Sequence, residues 1–345
     1  MAMDKGAADS YVYAKASGML AKSFIGSRAV RLFEPKTLQE LWGLLFKEAL
    51  PVVPETILAK TLETEAKNKF VAEYKKLVEN YSNPAPILIA LLHYYDFDNI
   101  KQIGTALAFK EKNLPEITDI NPFNYIKYKN WPDIKSMTEN SPLAWYDRIP
   151  ELSEQQTIDF KLDWQYVREV WAASALVDSS CRSDIQALLA ERIKIDSVLW
   201  ALRLRKYYEM PGDIVALHLE PPLKEDSVNG AGVFVEEAVK TLDWALDDWD
   251  SWKNWKYSSL LNPHEEGGVW NIDPRWIYNS FKKMYVNKAA FLFHKYPFTE
   301  CPILCWYIIK RNELDNIRAA SESLRLHIPA SQSMQMAGVL EVNNG

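Results

Sequence analysis

The stretch LDWALDDWDSW, residues 242–252, is the part of the chain best supplied for chemistry, because Asp243, Asp247 and Asp250 stand at i, i+4 and i+7. On a helix that spacing puts three carboxylates on one face, and an all-helical protein could use such a face to hold Mg²⁺ against a diphosphate. Trp244, Trp252 and Trp255 fall on the adjacent face. A helix with tryptophan inward and aspartate in solvent accounts for the pattern without a metal, and that is the expectation. His93, His218, His264, His294 and His327 are far apart in sequence, none with a partner at metal-ligand spacing, and no Ser or Cys sits in a nucleophile motif. NGAG at 229–232 is too short for a phosphate loop, and no Lys-Ser/Thr pair follows it. Cys301 and Cys305, four apart, share a helix face as small core residues. With Cys181 they make an odd number, which points to a reducing compartment. The expectation is a protein with no catalytic group, no cofactor and no metal.

The elements that must position these residues belong to a chain of 345 residues that is about half apolar and poor in glycine. Leu, Ala, Lys and Glu dominate its long stretches, which predicts an all-α fold. Thirteen Trp and seventeen Tyr suit broad helix–helix contacts or interfaces. A net charge of −6 and the lack of a basic run with interleaved aromatics argue against a nucleic-acid partner. MAMDKGAADS lacks the apolar stretch of a leader. The longest apolar runs, 86–92 and 302–309, are far shorter than the roughly 20 residues a membrane span needs, so a soluble protein is expected.

Apolar spacing predicts helices over 10–33 and 62–81, and from 86 to about 110. Thr37 and Glu40 form a capping-box pattern ahead of LQELWGLLF. Residues 111–160, with five prolines, read as a long connection holding short helical turns at most. Helical patterns resume at 162–177 and 183–208. EPPLKEDSVNGAG at 220–232 reads as a second boundary, and the tail beyond 329 as frayed.

A repeat runs through these elements. DFDNIK at 96–101 returns as ELDNIR at 313–318, each after a Pro-led apolar run, and YKKLVEN at 74–80 returns as FKKMYVN at 281–287. IDSV at 195–198 is a degenerate middle copy, with Ser197 in place of Asn and Lys194 in place of the first acid. The repeat aspartates are Asp98, Asp196 and Asp315, and the units are 1–130, 131–225 and 226–345. The motif residues Asp96, Asp98, Asn99, Lys101, Asp196, Glu313, Asp315, Asn316 and Arg318 are expected to be structural. Asp98/Lys101 and Asp315/Arg318 would form exposed ion pairs at i,i+3. Asn is unfavourable inside a helix, and in the sharper reading Asn99 and Asn316 tie adjacent helices together.

The chain resembles the C-subunit family of bacterial and archaeal V-type ATPases, whose counterpart in the eukaryotic vacuolar enzyme is the d-subunit. YVYAKASGMLAKSFIG is similar to the family's first helix, RLFEPKTLQELWGLL to its next, and PILCWYIIKRNELDNIRAASES to its last, with Glu313, Asn316 and Ile317 at the acid and Asn-Ile positions. The resemblance implies a non-catalytic rotor part: three similar helical bundles around a pseudo-three-fold axis, forming a funnel. Its implied partners are the central-stalk subunits and the membrane proteolipid ring. Its implied location is cytoplasmic and peripheral to the membrane. Two alternatives stand beside it. One is a free-standing helical adaptor. The other is a Mg-dependent all-α enzyme using Asp243, Asp247 and Asp250.

Overall fold

The computed structural model describes residues 3–219, 231–265 and 267–339, the side chains of 231–233 excepted. The expected boundary at 220–232 thus lies almost wholly outside the described residues. The described chain is helical throughout: α1 (Lys5–Leu20), α2 (Leu38–Leu45), α3 (Glu55–Val78), α4 (Pro86–Ala108), α5 (Ile134–Thr138), α6 (Gln155–Ser174), α7 (Ser179–Tyr207), α8 (Gly212–Leu219), α9 (Ala231–Lys240), α10 (Trp249–Trp252), α11 (Pro274–Lys295), α12 (Cys301–Arg325) and α13 (Ala330–Met336). No strand occurs among the described residues, only an isolated parallel bridge from Met3 to Tyr81.

Six of these helices build the frame. Short turns join α3 to α4, α6 to α7 and α11 to α12, and such turns make antiparallel neighbours. Local chemistry sets the helix ends. Pro86, Pro274 and Pro302 stand in first turns, where a missing N–H costs nothing. Asp178 caps Ser180 N at 3.0 Å, and Asp273 caps Arg275 N at 2.8 Å. The hairpins pack in sequence: α4 on α6, α7 on α11, and α12 back on α3, so the contacts close into a ring. An aromatic seam makes the last contact, with Phe70 stacked 5.8 Å from Trp306 and Tyr74 edge-on to Tyr307 at 5.0 Å.

Several expectations give way to the structure. The helix predicted over 10–33 stops at Leu20 and resumes as a 3₁₀ segment, Gly26–Phe33. Gly26 takes a left-handed φ of 55°, and Arg28 caps the broken end through the carbonyls of Leu20 and Ser23. The capping box is half formed: Thr37 accepts from Glu40 N, but Glu40 accepts from Lys36 N rather than from Thr37. Residues 111–154 are a folded lobe rather than a plain connection. Ile126, Ile134, Met137, Leu143 and Tyr146 share a second core with Phe97, Ile100 and Leu162, so the residues on both sides of position 130 pack together. Of the tail expected to fray, Ala330–Met336 instead forms α13, where Ser323 and Ser333 hydrogen-bond and Asn279 reaches Met336 O, while residues 340–345 lie outside the described ones.

Candidate functional site

The repeat motif places its residues in two kinds of surroundings. On α4, His93, Asp96 and Asn99 form a buried polar stripe that holds the lobe. His93 meets Phe123 O at 2.9 Å and pairs with Glu169. Asp96 accepts from Tyr125 N and Tyr128 Oη. Asn99 clasps Thr118 through both its amide and its carbonyl, and it also donates to Tyr128 Oη. Burial pushes the Asp96 carboxyl up to about 6, against the pull of these donors and of His93. On α12 the matching residues do similar work. Glu313 accepts from Phe24 N at 2.5 Å and pairs with Lys310, while Asn316 accepts from Lys282 of α11 at 3.2 Å. The first acid of each full copy therefore holds the backbone N–H of a non-helical segment. In the middle copy Ser197 bonds only its own helix, at Ile193 O, where α9 packs on α7.

The ion pairs expected within the motif are replaced by longer ones. Lys101 pairs with Asp163 of α6 at 2.5 Å, and Asp98 accepts from Gln102. Arg318 reaches Glu63 of α3 at 3.4 Å. These side chains bridge ring neighbours, and an i,i+3 pairing would leave those contacts unmade.

The three turns of the frame meet in a second polar cluster. Lys5 Nζ lies 3.0 Å from Glu300 and 3.5 Å from Asp178, and Asp178 N donates to Glu300. Tyr81 donates to Asp9 at 2.7 Å, and Met3 pairs with Asn80 and Ser82. Tyr81, Asp178 and Glu300 lie in the three hairpin turns, so the start of α1 ties all three together. Asp9 and Glu300 are buried, whereas half of Lys5 stays open to water. Burial raises Asp9, and the Tyr81 hydroxyl and Lys5 offset part of that. Just inside this cluster Cys301 and Cys305 lie 3.7 Å apart, sulfur to sulfur, and Cys181 Sγ donates to Asp178 O at 3.4 Å. All three thiols are buried. No sequence signal points to the cluster, because its members are distant along the chain and each looks like an ordinary surface charge.

Because the turns converge, the other helix ends lie together at the far end. Contacts there agree: Gln155 bonds Thr105, Lys206 bonds Ile272 O, and Arg318 pairs with Glu63. Between the two ends a cluster of charged and tyrosine side chains links the helices. Arg311 of α12 lies 4.4 Å from the ring centroid of Tyr94 on α4 and acts electrostatically on Tyr166 of α6. Asp315, one turn along, acts on Tyr278 and Lys282 of α11, and Tyr278 also feels Arg192, Asp196 and Arg203 of α7. Arg192 and Asp196 are 2.6 Å apart and leave 36% and 46% of their side chains open. Even so, desolvation by the surrounding protein raises Asp196, against the pull of Arg192. Tyr94, Arg192 and Arg311 each stand four residues ahead of a repeat aspartate.

The aspartate face does not form. After Lys240 the chain turns, α10 begins only at Trp249, and Asp243 and Asp247 lie in exposed turns. Asp248 caps α10 while Asp250 pairs with Lys253. Trp252 and Trp255 are buried as expected. Among the described residues no group of His, Cys, Asp or Glu is placed to hold a metal, and no helix is long and apolar enough to cross a membrane. What the arrangement offers is contact: a cluster of charge and tyrosine, and apolar side chains at both ends.

The same chain has recognisable relatives. Residues 12–336 match the family model described as ATP synthase (C/AC39) subunit. The chain is also 26% identical over 329 residues to an uncharacterized protein of Treponema pallidum (strain Nichols), an alignment covering 94% of each chain.

Proposed function

The chain belongs to the ATP synthase (C/AC39) subunit family, and from that premise we propose that it is the rotor socket joining the central stalk of the ATPase head to the membrane proteolipid ring. In this reading the three hairpins are three similar units around a pseudo-three-fold axis, forming a funnel whose bore takes the stalk. The protein works in the cytoplasm, peripheral to the membrane, as part of the complex. The family match carries the reading, and the closed ring of helix contacts supports it.

A torque coupler needs stiffness and contact area rather than a reacting group. Interlocked helices with a buried aromatic seam supply the stiffness. A stalk without symmetry must also meet a ring of many-fold symmetry, and a socket of few-fold repetition can adapt one to the other. The nine motif residues, from Asp96 to Arg318, then serve to hold each unit to its neighbours and to its covering segments.

The test is to remove this chain from the assembled complex and measure two rates. ATP hydrolysis by the head should persist while ATP-driven ion transport across the membrane is lost. Transport at the normal rate without the chain would sink the socket reading in favour of a free-standing adaptor.

A further inference from the structure

We infer that a cavity against α12 binds a small organic anion with a flat apolar body, because tyrosines of this chain cover the same face of α4 while the α12 copy leaves about 330 Å³ bordered by lysines. Such a ligand would bind whether or not the chain meets a stalk.

The repeat sets Lys310, Glu313, Leu314 and Ile317 of α12 against His93, Asp96, Phe97 and Ile100 of α4. On α4 the lobe covers all four. The ring of Tyr125 stacks on His93 with centroids 3.7 Å apart, Tyr128 Oη donates to Asp96 at 2.8 Å, and Phe97 and Ile100 enter the core of the lobe. On α12 the four counterparts line the cavity, together with α3, the break after α1 and the end of α2. Phe24 takes the place of Tyr125, since Glu313 holds its N–H as Asp96 holds that of Tyr125. Its ring only borders the cavity, with Arg31 lying 5.8 Å from the centroid, and Ser27 stands where Tyr128 would. The stacked ring and the phenol of the first copy therefore have no counterpart in the last, where Phe46, Ala66 and Phe70 complete an apolar lining.

The polar border selects the charge. Four lysines and two carboxylates reach the cavity. Both carboxylates are taken: Glu313 pairs with Lys310 and accepts from Phe24 N, and Glu73 lies 3.7 Å from the same Lys310. Lys69 donates to Leu45 O at 2.9 Å, and among the described residues Lys22 and Lys47 have no ion pair. These three cations remain for an anionic group, in a part-enclosed site where a charge pair is stronger than in open water. The cavity has the volume of a small-molecule site and is too narrow for a helix about 10–12 Å across. No unmodified side chain joins a ring to a negative charge at neutral pH, because the Tyr hydroxyl titrates near ~10. A free aryl carboxylate carries both.

Calorimetry on the full chain tests this with three probes of one shape: 2-naphthoate, its neutral amide and 2-naphthylmethylamine. The carboxylate should bind at one site about tenfold more tightly than the amide, and the amine should not bind. Lys22→Glu combined with Lys47→Glu alters two exposed side chains, so melting without ligand should hold while affinity for 2-naphthoate falls about tenfold. Lys129→Glu, exposed on the lobe, should leave that affinity unchanged. Equal binding of carboxylate and amide would overturn the anionic assignment. Binding that survives the double charge reversal would overturn the location. No binding of any of the three probes would overturn the site itself.

Discussion

The two ends of the ring are built on opposite plans. At the hairpin end, buried carboxylates, Lys5 and three thiols lock every turn to the first turn of α1. At the open end the helices finish separately, and large apolar side chains stay exposed: Val52 ahead of α3, Phe109 after α4, Leu152 ahead of α6, Tyr208 after α7, Val269 ahead of α11 and Leu326 after α12. All six frame helices contribute to this rim. The hairpin end shows fewer such groups, Leu176 and Phe298 in two of its turns. The contrast teaches where each kind of energy is used. Polar pairs bury their charges to fix the three units relative to one another. Apolar area is left open at the opposite end, as befits a surface that meets another protein.

The largest effect should come from breaking the hairpin end. Glu300→Ala removes the acceptor for Asp178 N and the closest partner of Lys5. It should cost about 3 kcal/mol, read as a lower midpoint in denaturant. A loss within about 0.5 kcal/mol would mean that α1 merely rests on the turns.

A smaller effect belongs to the lobe that covers α4 and α6. Asp96 is pushed up to about 6 from an ordinary 3.8, so the folded state holds its proton more tightly than the unfolded chain. The stability this group supplies is complete below about pH 4 and lost as pH rises through 6. The lobe should therefore open more readily at pH 7 than at pH 5, by about 2 kcal/mol at most. Hydrogen exchange at the amides of 118–128 reads this directly, and Asp96→Asn should flatten the dependence. Opening that is independent of pH in the native protein would contradict the buried-acid account.

At the open rim, Tyr208→Ser should change folding stability by less than about 0.5 kcal/mol yet weaken assembly into the complex. If assembly is untouched while stability falls, the rim is core rather than contact surface. The smallest effect is expected from Asp247→Ala, which should alter neither the melting curve nor Mg²⁺ binding followed by calorimetry. A Mg²⁺-binding heat that vanishes in this variant would revive the enzyme alternative.

The long frame helices are legible in the sequence because each has a 3.6-residue apolar period over many turns, and all but α6 have a proline or capping aspartate at the start. Breaks decided by one residue are not. Leu20 to Phe24 keep a helical period even though Gly26 turns the chain, and the aspartates of 243–250 keep helical spacing in a segment too short to be one helix. The lobe escapes a sequence reading because prolines and polar residues look alike in a linker and in an irregular fold. Its apolar residues Ile126, Met137 and Leu143 become a core only against Phe97 and Ile100. For the site, the repeat marks the right helices. Nothing local shows that Asp96 and Glu313 turn to backbone amides while Asp196 pairs with Arg192.

The Lys5 cluster also bears on how the chain reaches this form. During synthesis Met3 can pair with Asn80 and Ser82 early, but Asp178 is made much later and Glu300 only as α12 begins. Until then Lys5 lacks Asp178 and Glu300, and the aromatic face of α3 waits for Trp306 and Tyr307. Contacts of such long range make folding slow, and apolar surface exposed meanwhile favours aggregation. Ring closure is thus a final, all-or-none event, and a ribosome-bound chain shorter than about α12 should need a chaperone to stay soluble.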